Sequence, residues 1–222
     1  GSDAPMTTHT GAATRVAFWA AIACAVTSIA YVLGQLLEWQ GLLGSAGGPE
    51  SASTPLGIAV LLTPSFLLGS SFLVLVAALH RLAPAEARVF SQVALAFATV
   101  YATLISMVYF TQLTLVGPRL ATGDTAGIEY LFFVPYRSFL FAVDLLGYSF
   151  MCIATLFAAY ALPTLRGARM ARRLLLLNGA LTPFLLFQMY EPQLIWIAAL
   201  WGFTFPAAVI ALARMLRNPS PA

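Results

Sequence analysis

An aspartate stands inside a long apolar stretch, residues 135–162 (PYRSFLFAVDLLGYSFMCIATLFAAYAL). If that stretch crosses a membrane, a charged Asp144 costs on the order of 3 kcal/mol or more, so it needs a proton, a polar partner or a wet cavity. A carboxyl group held that way can anchor a hydrogen-bonding ligand. Protonated, it can also serve as a general acid. Asp144 has company, because helical positions seven, eleven and eighteen apart fall nearly in line at about 100° per residue. Arg137, Asp144, Tyr148 and Thr155 therefore share one narrow polar stripe. Side chains lean towards a helix N-terminus. Arg137 is thus expected to snorkel to the membrane surface and Asp144 to meet a hydroxyl or amide of a neighbouring helix.

A second stripe runs along the first apolar segment, where Cys24, Ser28, Tyr31, Gln35 and Glu38 fall within about 80° of one another. Tyr109, Gln112, Gln188 and Glu191 fall at a depth similar to Gln35, Glu38 and Arg137 in their own segments. Together these residues predict a cavity between the first, third, fourth and fifth spans, open to the outer side. Arg137 would stand at its mouth, and Asp144 would form its floor about 15 Å down, counting ten residues at about 1.5 Å. Asp144, Glu38 and Glu191 are the candidate acids for catalysis. Arg137, Tyr148, Tyr31, Gln35, Tyr109, Gln112 and Gln188 are the candidate ligand-binding residues. Polar stripes of this kind also serve as ordinary glue between membrane helices.

Other chemistry finds no support. Cys24 and Cys152 lie mid-segment without CxxC spacing and read as buried thiols. The histidines are His9, in the N-terminal arm, and His80, at a segment end, so no metal site or protein-ligated cofactor is expected. Ser71 and His80 are nine helical residues apart, about 13 Å of rise, too far for a dyad. There is no lysine for a Schiff base, no aspartate-rich diphosphate motif and no glycine-rich phosphate loop.

The elements that must position these residues are membrane helices. Of 222 residues, 60% are hydrophobic and 9% charged, far below the roughly 25% charge of soluble domains. Long apolar runs predict an all-α bundle of six transmembrane helices at about 14–37, 56–82, 89–115, 135–162, 173–189 and 193–215. Residues 1–13 read as a flexible N-terminal tail in which Gly1-Ser2 is an appended scar, and 218–222 as a C-terminal tail. Pro135 is expected in the first turn of the fourth helix. Nine of the eleven basic residues, all arginines, fall on one side: Arg15, Arg81, Arg88, Arg166, Arg169, Arg172, Arg173, Arg214 and Arg217. The positive-inside rule then gives cytoplasmic N- and C-termini in a bacterial inner membrane. No basic stripe suggests nucleic acid.

Three functional classes fit. The first is a protein that binds or carries a membrane lipid or small hydrophobic molecule. The second is an intramembrane acid–base enzyme, an isomerase or cyclase of a hydrophobic substrate. The third is an accessory subunit or homo-oligomer, docking through Ala154, Ala158 and Ala161.

Overall fold

The structure is a computed structural model that describes residues 6–217 and 219, with side chains from residue 11 onward. His9's side chain and the chain termini, 1–5, 218 and 220–222, lie outside the described residues. Every regular element among the described residues is helical. α1 spans Met6–Trp39, so the helix reaches into the stretch read as a tail. α2 spans Pro55–Leu82, with Thr54 as N-cap and proline in its first turn, the arrangement that best satisfies free N–H groups there. α3 (Arg88–Thr111) passes through one wide turn, Gln112–Val116, into α4 (Gly117–Thr122). This helical run continues well past the expected end at residue 115.

α5 spans Phe139–Ala159 and is shorter than the expected 135–162. Ser138 caps it, accepting the Phe141 N–H at 3.2 Å. The same hydroxyl accepts the Val134 N–H, which folds residues 134–138 into a turn. Tyr136 in that turn has φ +61°, a left-handed conformation unusual for a non-glycine residue. Pro135 and Arg137 are therefore outside the helix, and the expected continuation of the polar stripe to Arg137 does not form.

The expected fifth span, 173–189, is broken. It becomes α6 (Ala168–Gly179) and the short α7 (Thr182–Leu186). Pro183 has no N–H to give the Gly179 carbonyl, and the Thr182 hydroxyl donates to that carbonyl instead at 2.7 Å. The last segment is likewise divided, into α8 (Ile195–Ala198) and α9 (Trp201–Arg217). Among the described residues, five helical segments are long and apolar enough to cross a membrane: Gly11–Trp39, Pro55–Leu82, Ala85–Thr122, Phe139–Ala159 and Pro192–Arg217.

The packing closes on itself. α1 lies against α2, α2 against α3, α3 against α5, α5 against α6 and α7, α6 against α9, and α9 against α1. Close approaches need small residues at the crossings. A Cβ at Gly147 would stand 2.9 Å from Ile105 on α3, and one at Gly179 2.7 Å from Leu156 on α5. Ala154, Ala158 and Ala161 are buried within this ring, so the face expected to dock a partner is already covered. Outside the ring Trp19, Leu33, Met107, Phe110 and Phe187 are exposed. Water would penalise such a surface and lipid would not.

Candidate functional site

The ring encloses a cavity of about 500 Å³ with mostly apolar walls, among them Ile58, Leu61, Leu62, Leu145 and Leu185. At its centre the Tyr109 hydroxyl of α3 donates to Asp144 Oδ1 of α5 at 2.5 Å, and lies 3.3 Å from the Tyr148 hydroxyl. Asp144 is only 8% exposed. It lies five residues into α5, about 7.5 Å along the axis rather than 15 Å, because α5 starts later than the sequence suggested. The Tyr101 hydroxyl, wholly buried beside that of Tyr148, makes no hydrogen bond of good geometry.

The wide turn at Gln112–Val116 begins three residues after Tyr109. An extra residue in a helical turn shifts the register of the turns beyond it, and such turns are frequent at functional sites. Gln112, the first residue of the wide turn, is not part of the cavity wall. Gln112 is fully buried and donates to the Leu131 carbonyl at 2.7 Å, tying α3 to the loop before α5.

α1 supplies one wall. The Tyr31 hydroxyl donates to Gln35 Oε1 at 3.0 Å, and both residues line the cavity. Glu38, one turn further, also lines it and is 2% exposed, with no hydrogen-bond partner for either carboxylate oxygen. Its Oε2 lies 2.8 Å from where a Cβ of Gly57 would be, so only glycine in the first turn of α2 leaves room for it. The loop after α1 folds back over this region. Gly47, at φ +80°, would place a Cβ 2.8 Å from the Trp39 carbonyl, and the adjacent Gly48 N–H donates to that carbonyl at 2.9 Å. Ser51 and Ser53 thereby reach the cavity rim.

Beyond α7, Gln188 donates to the Tyr136 hydroxyl at 3.1 Å, while its own Oε1 is buried without a partner. Tyr136 sits at the rim outside the spans, and burial pushes its phenol pKa up, with the Gln188 hydrogen bond acting against that. Trp201 of α9 closes the far wall. Its ring meets Tyr31 and Tyr148 edge-on, at 6.0 and 5.2 Å between centroids, and its indole N–H donates to Met151 Sδ at 3.3 Å.

Of the candidate residues, the structure brings Asp144, Glu38, Tyr148, Tyr31, Gln35, Tyr109 and Gln188 to one cavity. It leaves three outside. Arg137 is exposed in the turn before α5. Glu191 is exposed and accepts the Gln193 N–H at 3.3 Å. Gln112 faces the loop. Thr155, on the same stripe as Asp144, joins a separate network, in which Asn178 of α6 donates to Thr155 Oγ1 at 3.1 Å and accepts from Thr204 of α9 at 2.8 Å. That network binds α5, α6 and α9 and has no place in the cavity wall. His80 meets Ser91 at 2.8 Å, linking α2 to α3, while Ser71 donates to the Leu67 carbonyl.

Sequence reasoning missed Trp201, Tyr136 and the rim serines. Trp201 had a signal, an indole N–H in an apolar segment that needs a partner. Tyr136 had none, since nothing in PYRS announces a left-handed tyrosine.

Fold and site together define an all-helical membrane protein with an apolar cavity whose polar groups converge from four helices. Comparison with known proteins gives no narrower class, for no family model, no curated protein and no solved structure matches the chain.

Proposed function

We propose that the protein binds or carries a small amphipathic or lipidic molecule in this cavity, with the convergent polar groups fixing its polar part and the aliphatic and aromatic walls taking the tail. The observation that carries the reading is the shape of the site: about 500 Å³, walled by aliphatic and aromatic side chains, with a few convergent polar groups. That is the usual form of a small-molecule pocket. In this reading α6 and α7 together make a sixth crossing. The arginine-rich ends then face the cytoplasm with both termini, in a bacterial inner membrane, and the cavity opens outwards between Glu38, Ser51 and Gln188.

Native mass spectrometry of the mildly solubilised protein, with organic extraction of its contents, tests this. A stoichiometric amphiphile retained by the wild type and lost on Ala198→Phe, which places a ring at the cavity wall, is the expected result. Equal lipid content in both proteins counts against it.

The pair Tyr109–Asp144 favours a second reading, an intramembrane isomerase or cyclase with Asp144 as general acid. It requires that Asp144→Asn abolish turnover of a bound substrate without releasing it, whereas a carrier retains transport with altered affinity.

A further inference from the structure

The cavity has acidic groups and no basic ones. Its lining includes two carboxylates, Glu38 and Asp144, and no arginine, lysine or histidine. The Arg119–Asp124 pair, at 3.0 Å in an exposed loop, is the sole salt bridge among the described residues. Asp144 has a phenol donor, but Glu38 has no hydrogen-bond partner at either oxygen, and Gln188 Oε1, of the same cavity lining, has none. Both side chains are at least 98% buried (2% and 1% exposed). A buried acceptor without a donor loses its hydration with nothing in return, and more so when charged, so such groups are normally paired. Glu38 is also held against the first turn of α2, where the helix dipole favours negative charge. The ring of Tyr136, whose hydroxyl accepts from Gln188, also lines the cavity, and aromatic faces attract cations.

From these observations we infer that the ligand is a cationic amphiphile, its ammonium or amine group received by Glu38 and Gln188 at the rim and its apolar tail lying along the leucines towards Trp201. The inference rests on the reading of the cavity as an amphiphile site and adds the sign of the headgroup. An anionic headgroup would face Glu38 with no counter-charge, and a neutral one would leave Glu38 without a cation.

The test uses the full-length protein in nanodiscs of neutral lipid, with Trp19, Trp39 and Trp196 replaced by phenylalanine so that Trp201 alone reports. A brominated-chain alcohol quenches Trp201, and twelve-carbon (~1.5 nm) alkylammonium, alcohol and carboxylate chains compete for it. The expected result is that the ammonium displaces the reporter about tenfold better than the alcohol, and that Glu38→Gln removes that preference while alcohol binding persists. Comparing the same chains across the two proteins cancels their different partitioning into the bilayer. If Glu38→Gln does not fold, Gln188→Glu reads the same point with opposite sign, raising the preference for the ammonium. Equal competition by all three chains, or a preference untouched by both variants, overturns the inference and leaves the amphiphile site standing. Tetramethylammonium competing as well as the long chain would assign the site to a small free amine and reject the tail. If no chain displaces the reporter saturably, the amphiphile site falls, and the inference with it.

Discussion

Tyr109 and Asp144 depend on each other. The phenol gives the carboxylate its donor, and without it a buried oxygen is left unpaired. Tyr109→Phe is expected to lower stability by about 1–3 kcal/mol, read as a loss of thermal stability in detergent. Asp144→Asn keeps an acceptor for the phenol and is expected to lose less. A Phe variant as stable as wild type would mean that the hydroxyl has no such role. Asp144, Tyr148, Tyr31, Gln35, Glu38 and Gln188 were legible because a polar residue in an apolar segment needs company, and helical spacing shows which polar residues share a face. Arg137 was misread for the same reason. Its spacing from Asp144 fits a helix, but the Ser138 cap and the left-handed Tyr136 end the helix before reaching it.

Among the elements, glycine positions set the distances. Gly179 has the Cβ and Cα of Leu156 and the Cys152 carbonyl around its open side, all on α5, whereas Gly147 meets first the flexible end of Ile105. Gly179→Ala is therefore expected to cost about 1–3 kcal/mol and Gly147→Ala less, because only the second neighbour can turn aside. Thermal melting of the two variants decides it, and the reverse order would contradict this packing. The broken span was only half legible. Asn178, Thr182 and Pro183 were visible as polar and proline positions in an apolar run, but proline is tolerated within some membrane helices. Here the Thr182 hydroxyl satisfies the Gly179 carbonyl and lets the chain turn. The wide turn after Thr111 left no trace in composition, since QLTLV suits an ordinary helix equally well.

At the scale of the molecule, the proposed topology puts nine of the eleven arginines at one end of the ring and the cavity mouth at the other. Topology is open to direct measurement because both native cysteines, Cys24 and Cys152, are buried and free. A cysteine replacing Ser51 should react with a membrane-impermeant maleimide added to intact cells, and one replacing Arg169 should react only after the membrane is opened. The opposite pattern would invert the assignment. All-helical membrane architecture was legible from composition alone. Ring closure was not, since it depends on α9 returning to α1 at Gly202, whose Cβ position lies 3.2 Å from Val32.

Central to the proposed function is a cavity that holds an amphiphile's tail beside Trp201. The most direct measurement is quenching of Trp201, as the lone tryptophan, by a brominated-chain amphiphile in nanodiscs. Saturable quenching that Ala198→Phe abolishes, while the protein still melts cooperatively, is the predicted result. Quenching that rises in proportion to bilayer content, the same in both proteins, would contradict it.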